Sequence, residues 1–93
     1  MKFEQLYSYS KANLYQITAG NGKRLLIECG VTWAKLQKAL HYDLSGIVGC
    51  LLTHEHKDHS RAVKEVMQAG IDVYASPGTI RALGLEGQRR AMI

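Results

Sequence analysis

The chain has 93 residues, of which 46% are hydrophobic and 22% are charged, and its formal net charge is +4. This length predicts at most one small domain, and the composition is that of a globular protein rather than a disordered tail. No apolar run approaches the roughly 18 residues of a membrane-spanning helix, and the N-terminus lacks the features of a signal peptide. We therefore expect a cytoplasmic protein with no membrane partner.

The first third of the chain predicts three strands. Residues 3–7 and 14–19 are interpreted as the first two, and residues 24–29 (RLLIEC) as the third. Residues 20–23 (GNGK) separate the second from the third and favour a hairpin, because Gly and Asn tolerate positive φ. These segments indicate an antiparallel start to the sheet.

The middle of the chain predicts a helix and then a buried strand. Thr32 is a suitable N-cap for a helix over residues 33–40, whose apolar residues recur at helical spacing. Residues 47–53 (IVGCLLT) are too continuously apolar for a half-exposed strand. They predict a central strand that is buried on both faces.

The last third alternates helix and strand. Residues 61–69 predict a helix, and residues 71–75 predict a strand. Ser76 is a suitable N-cap for a helix over residues 77–83, which begins with proline. The predicted order is βββαβαβα. Residues 85–93 end like the start of another apolar segment, which suggests an incomplete chain.

The two cysteines, Cys29 and Cys50, each lie inside an apolar segment. We interpret them as buried free thiols in a reducing cytoplasm. A disulfide or a sulfur metal ligand remains an alternative, although the chain has no C-x-x-C pair that would support zinc-finger chemistry.

The densest chemical signal is the segment 53–60 (THEHKDHS), which holds three of the four histidines. Imidazole is the commonest protein metal ligand, and carboxylate is its usual hard partner. Side chains alternate in an extended loop, so His54 and His56 can bind one ion. The chain then turns into a helix, which lets Asp58 and His59 converge on a second ion.

Four segments of the chain resemble one family. Residues 53–59 resemble the T-H-x-H-x-D-H signature of the metallo-β-lactamase superfamily, and residues 25–30 (LLIECG) resemble its L-L-I-D-x-G strand end. Residues 71–75 fit the strand after its metal helix. Residues 10–14 (SKANL) resemble the S-x-G-N stretch of a branch with bacterial and phage proteins related to DNA exonucleases and cyclic phosphodiesterases. The resemblance covers nearly the whole chain.

The resemblance implies an α+β fold, the N-terminal half of an αββα sandwich, in which a mixed sheet carries helices on its outer face. Residues 1–93 would then be the N-terminal part of a metallo-β-lactamase-like domain, which we expect to be incomplete. The covering sheet and helices of the second half would come from elsewhere.

The resemblance also implies roles for individual residues. His54 and His56 would bind the first metal, and Asp58 and His59 the second, with Asp58 also placed in the catalytic machinery. The expected ions are two Zn²⁺, and manganese or iron also suits such ligands. Glu28 stands where the family usually has Asp, so it is expected to support a ligand, or else to be a partly exposed strand-end carboxylate.

Other positions depart from the family pattern. After His59 the chain has no further histidine, and its only later aspartate is Asp72. Each ion would keep two protein ligands, fewer than the three that zinc sites normally need. His41 is interpreted as lying outside the site. Ala12 replaces the usual Gly of the branch, which predicts a different loop there.

Two functions remain open. The first is a metal-dependent hydrolase whose favoured substrates are phosphodiesters, with nucleic acid as a possible partner because the chain is mildly basic. In its 93-residue form this hydrolase is expected to be inactive. The alternative is a non-catalytic, truncated metal-binding or assembly module. In both cases we expect an uncovered apolar sheet face that is buried by self-association or by a missing C-terminal half.

Overall fold

The computed structural model describes residues 1–9 and 12–93. Its six strands are β1 (Lys2–Tyr9), β2 (Ala12–Thr18), β3 (Arg24–Ile27), β4 (Ile47–Leu51), β5 (Val73–Tyr74) and β6 (Ala91–Met92). Its four helices are α1 (Trp33–Ala39), α2 (Lys57–Ser60), α3 (Val63–Gln68) and α4 (Pro77–Ala82). The order βββαβαβα is present, with two additions, because α2 precedes α3 and β6 follows α4.

The strands form one mixed sheet in the order β1-β2-β3-β4-β5-β6. The pairs β1–β2 and β2–β3 are antiparallel, whereas β3–β4, β4–β5 and β5–β6 are parallel. The predicted hairpin joins β2 to β3, with Gly22 at φ 85° and the Ala19 amide donating to the Lys23 carbonyl at 2.8 Å. The mixed α+β architecture agrees with the expected fold class.

Side-chain caps fix where two of the helices begin. Thr32 accepts a hydrogen bond from the Lys35 amide at 3.3 Å, and α1 starts at the next residue. Ser76 accepts from the Thr79 amide at 3.2 Å, and α4 then starts with Pro77 at its first position. Both N-caps were predicted from the sequence, because each side-chain oxygen satisfies an amide that the helix itself leaves unpaired.

The core lies between one face of the sheet and the helices. Leu14, Leu26 and Val73 contribute from strands and are 0% exposed. Helices α1, α3 and α4 add the buried residues Leu36, Val63, Val66 and Ile80 to the same cluster. We call this side of the sheet the covered face.

The opposite side of the sheet is apolar but poorly covered. Strand registers place eight apolar or aromatic residues there, which we call the open face: Phe3, Tyr15, Ile17, Leu25, Ile27, Leu51, Tyr74 and Met92. Phe3 is 60% exposed, Leu51 38% and Tyr74 37%. The prediction that β4 is buried on both faces is therefore wrong. A continuous apolar run indicates two apolar faces, but it does not say what covers them.

The helix predicted over residues 61–69 is present as α3, which begins two residues later than predicted. A separate helical turn, α2, precedes it within the histidine cluster. At the junction the Ala62 amide donates to the Cys29 carbonyl at 2.9 Å instead of to a carbonyl of α2. This contact ties the junction to the end of β3.

The prediction that the loop at Ala12 differs from that of the branch stays a prediction. Ala12 lies in β2 opposite Tyr9, and it is not among the described residues with positive φ. Ser10 and Lys11, which carry part of the S-x-G-N resemblance, lie outside the described residues. Among the residues that the structure describes, no helix is long and apolar enough to cross a membrane.

Candidate metal centre

The candidate site lies where β3 and β4 end. Glu28 follows β3, and Thr53 comes two residues after β4. The two strands are parallel neighbours, so their carboxyl ends meet at the same edge of the sheet. Glu28 has φ 67° and is only 3% exposed, which marks it as a buried carboxylate held in an unusual backbone conformation.

Glu28 is the hydrogen-bonding centre of the site. The Thr53 amide donates to its Oε1 at 2.9 Å, and the Thr53 hydroxyl donates to its Oε2 at 2.6 Å. Nδ1 of His59 also contacts Oε2. A buried carboxylate needs such partners because isolation from water disfavours its charge. Glu28 therefore fixes both the segment after β4 and one edge of the His59 ring.

His59 lies between two carboxylates. Its Nδ1 faces Glu28, and its Nε2 is 3.0 Å from Oδ2 of Asp58. This separation is close to the roughly 3.3 Å between two ligand atoms on one tetrahedral zinc ion, given metal–ligand distances of about 2.0 Å. The expected convergence of Asp58 and His59 is thus present, and the two donor atoms fit a common ion.

His54 and His56 stand beside this pair. The ring centroid of His54 is 3.7 Å from that of His59 and 5.1 Å from that of His56. Nδ1 of His54 is 2.8 Å from the Thr53 hydroxyl oxygen. Ligand atoms of Glu28, His54 and His59 all lie within 4.8 Å of one another, so the donor set fits a metal ion. Thr53 received no role from the sequence, although it belongs to the motif.

The backbone around the site is closely packed. A Cβ atom at Gly30 would lie 1.8 Å from the Asp58 carbonyl oxygen and 2.6 Å from the His59 nitrogen, so only glycine fits there. Nearby, the Cys29 amide donates to the His59 carbonyl at 2.8 Å. The loop that carries the candidate ligands therefore rests directly on the end of β3.

Asn13 is a second residue to which the sequence gave no role in the site. Its side-chain amide donates to the Asp58 carbonyl at 2.9 Å, although 45 positions separate the two residues. The S-x-G-N resemblance was the only signal in the sequence that pointed to Asn13. His41, which was placed outside the site, is an exposed residue at φ 56° beyond the end of α1.

The two cysteines are free and fully buried under the site. A hydrogen bond with Cys50, together with burial, raises the pKa of the Cys29 thiol well above its usual value. Cys50 lies close to the Glu28 carbonyl, with its sulfur 3.7 Å from that oxygen. The interpretation as buried thiols is therefore confirmed.

Comparison with known families agrees with this geometry. A model of the metallo-β-lactamase superfamily matches residues 10–90. The chain belongs to the metallo-β-lactamase superfamily. The resemblance drawn from residues 53–59 is thereby confirmed, and the matched range includes the residues of the candidate site.

Curated relatives match about half of the chain. An anti-Pycsar protein, Apyc1, from Paenibacillus xerothermodurans is 44% identical over 45 residues, which are 48% of this chain and 18% of that protein. Apyc1 from Bacillus phage 010DV004 is 46% identical over 46 residues, which are 50% of this chain and 18% of that protein. The matched segment is thus less than a fifth of the length of these relatives.

Solved metallo-β-lactamase-like structures match more of the chain. The chemotaxis sensor ODP, solved as a peroxy diiron species, gives a TM-score of 0.70 at 18% identity, covering 85% of this chain and 35% of that one. TMB-1, solved to study substrate and inhibitor binding, gives 0.64 at 27% identity, covering 86% and 38%. The present fold corresponds to about a third of each neighbour.

Proposed function

We propose that this chain carries four ligands of the dinuclear metal centre of a hydrolase. The observation that carries the proposal is the approach of Asp58 Oδ2 to His59 Nε2 at 3.0 Å, next to the His54 ring. In the proposed arrangement His54 and His56 hold the first ion, and Asp58 and His59 hold the second. Asp58 is also proposed as part of the catalytic machinery because it would contact the ion at which the reaction takes place.

Although a carboxylate oxygen of Glu28 lies within 4.8 Å of the ligand atoms of His54 and His59, we propose that Glu28 supports the ligands rather than binds metal. Its two oxygens already accept hydrogen bonds from the Thr53 amide, the Thr53 hydroxyl and His59. With the Nδ1 proton of His59 directed at Glu28, the Nε2 lone pair is free for an ion. Thr53 orients His54 in the same way. Its hydroxyl donates to Glu28 and can accept from Nδ1 of His54, which leaves Nε2 of His54 for an ion.

The proposed ions are zinc, and manganese or iron would also suit these ligands. Bound metal ions would polarise a phosphoryl oxygen and lower the pKa of a bound water. The chain's own contribution is to hold three imidazoles and one carboxylate at one edge of the sheet. Two buried free thiols, Cys29 and Cys50, are compatible with a reducing compartment, and we propose that the protein acts in the cytoplasm.

The proposed substrates are phosphodiesters, either nucleic acid or cyclic nucleotides. Three considerations support them: the net charge of +4, the branch that residues 10–14 resemble, and the bacterial and phage origin of the matched relatives. A positively charged protein favours an anionic substrate through its long-range field.

We further propose that residues 1–93 are the N-terminal part of a larger domain. The open face supports this view. It holds eight apolar or aromatic residues, and one of them, Phe3, is 60% exposed. A following C-terminal half would cover this face and supply the remaining ligands. Failing that, a second copy of the chain would cover the face, and the chain would be a non-catalytic metal-binding or assembly module.

Metal analysis tests the ligand assignment. The purified chain is loaded with Zn²⁺, Mn²⁺ or Fe²⁺, and its metal content and affinity are measured for the wild type and for His54→Ala, His56→Ala, Asp58→Asn and His59→Ala. We expect weak binding by the wild type, which each of the four substitutions lowers. His41→Ala is the matched control and should change nothing. Four unchanged affinities would exclude the assignment.

Activity assays test the reaction. The complete gene product that contains this chain is assayed with Zn²⁺ or Mn²⁺ on bis(p-nitrophenyl) phosphate, on single- and double-stranded DNA and on cyclic nucleotides. We expect hydrolysis that falls at least about 100-fold in His56→Ala, consistent with the loss of a metal ligand, and no hydrolysis by the 93-residue chain alone. Activity that survives His56→Ala would contradict the metal-hydrolase proposal. An inactive complete product would favour the assembly module.

A further inference from the structure

We propose that Asn13 is a positioning residue that holds Asp58 in place for metal binding, an inference that rests on the proposed metal site. Its Nδ2 atom donates to the Asp58 backbone carbonyl at 2.9 Å and lies 3.5 Å from Oδ2 of the Asp58 carboxylate. A side-chain amide nitrogen carries two hydrogens, so one group can address both oxygens. The contact joins β2 to α2, whose first turn contains Asp58.

The orientation of the Asn13 amide is fixed by a second contact. The Tyr15 hydroxyl donates to Asn13 Oδ1 at 3.1 Å, and it lies 2.9 Å from the Ser8 hydroxyl. Because Oδ1 is engaged by a hydroxyl donor, the NH₂ group faces Asp58. A short polar chain on β1 and β2 thus directs two donor hydrogens at the ligand loop.

The backbone of Asn13 fixes its distance from the same loop. The Gly30 amide donates to the Asn13 carbonyl at 2.9 Å. Gly30 in turn lies against the Asp58 carbonyl, where no Cβ would fit. The Asp58 carbonyl is therefore held between the Asn13 amide and the Gly30 backbone, and its position is set from two sides.

This arrangement complements the support from Glu28. Glu28 holds His59 from the buried side, whereas Asn13 holds Asp58, whose side chain is 29% exposed. Water competes for an exposed carboxylate, so a fixed donor limits its rotation away from His59 Nε2. The consequence is that Asn13 sets metal affinity more than it sets the stability of the fold, as partners of metal ligands commonly do.

The first test measures metal binding. Zn²⁺ affinity is determined by competition with a chromophoric chelator, and Co²⁺ loading reports ligand geometry through its visible spectrum. Asn13→Ala should weaken Zn²⁺ binding about tenfold or more and alter the Co²⁺ spectrum, with a small change in melting temperature. Tyr15→Phe, which frees the amide to rotate, should have a weaker effect in the same direction. Asn21→Ala, in the β2–β3 hairpin, is the matched control and should leave the Zn²⁺ affinity and the Co²⁺ spectrum unchanged.

A second, metal-free test separates this inference from the proposed function. In the ¹⁵N–¹H spectrum of the metal-free chain, the side-chain amide signals of Asn13 should shift in Asp58→Ala, which removes the carboxylate oxygen 3.5 Å from Nδ2, and remain in place in Asp72→Ala. A complete gene product that binds no metal would refute the proposed function, while these signals would still report the contact. Unshifted signals in Asp58→Ala, or unchanged Zn²⁺ affinity in Asn13→Ala, would overturn the inference.

Discussion

The covered face and the open face of the sheet are built from the same strands but differ in what lies over them. Leu26 and Val73 on the covered face are 0% exposed, whereas Leu51 and Tyr74 on the open face are more than a third exposed. Both sets are apolar, so hydrophobicity alone does not distinguish them. Burial by helices does distinguish them, so the stability of the isolated chain rests on the covered face, and we propose association for the open face.

The most direct way to break this comparison is a matched pair of leucine substitutions. Leu26→Ala should lower the free energy of unfolding by about 2–5 kcal/mol, because it leaves a cavity in a packed core. Leu51→Ala, on the neighbouring strand, should cost less, about 1 kcal/mol, because the side chain is already 38% exposed and its removal leaves no enclosed cavity. Urea denaturation of both variants measures the difference, and equal losses would mean that the open face is covered in solution.

Substitutions at Glu28, at the sheet edge that carries the candidate metal centre, should have the next largest effect on the free energy of unfolding. Glu28→Ala removes the acceptor of Thr53 and His59, and it should lower the free energy of unfolding by about 1–3 kcal/mol. Glu28→Gly loses the same contacts but relieves the strain of φ 67°, so it should be about 1 kcal/mol more stable than the alanine variant. Thermal unfolding of the pair decides this. Equal stability would mean that the backbone relaxes at position 28.

The covered face should also show a pH dependence that the open face lacks. The pKa of Cys29 is raised, first by its hydrogen bond with Cys50 and then by burial. The folded state therefore keeps a proton that the unfolded chain releases above its ordinary pKa of about 8.5. The free energy of unfolding is therefore unaffected below this pH and should fall by up to about 1.4 kcal/mol per pH unit above it. Cys29→Ala should flatten this slope, and an identical slope in the variant would count against the burial of a thiol proton.

The smallest effect on stability should accompany the clearest effect on association. Tyr74→Ser on the open face should change the free energy of unfolding by about 0.5 kcal/mol or less and weaken self-association of the chain. Tyr42→Ser removes the same kind of side chain beyond the end of α1, where it is 72% exposed, and serves as the control. Sedimentation velocity at several concentrations reports the change. A wild type that is monomeric at high concentration would rule out self-association.

Local signals in the sequence predicted the elements that local chemistry determines. The Thr32 and Ser76 caps and the Gly22 turn each satisfy backbone groups within a few residues, so their positions were predictable. The motif around His54 was predictable for the same reason, since its candidate ligands are close in sequence. These features gave most of the fold and the metal-binding residues proposed for it.

Contacts between distant segments were not predictable in this way. The break between α2 and α3 depends on the Ala62 amide reaching the Cys29 carbonyl, and the role of Asn13 depends on a contact 45 positions away. The exposure of Leu51 depends on what lies over the sheet, which no strand encodes by itself. Each of these outcomes is decided by packing between elements rather than by the pattern within one.

Gly30 allows the side chains of the core to change without moving the candidate site. The spacing between β3 and the ligand loop is fixed by main-chain atoms, through the Asp58 carbonyl on one side and the Asn13 carbonyl on the other. Core side chains can therefore be exchanged among residues of similar volume without moving the ligands, provided that position 30 has no side chain. The core can therefore change while the geometry of the candidate ligands stays the same. A single methyl group at position 30 would displace the loop and make the two depend on each other.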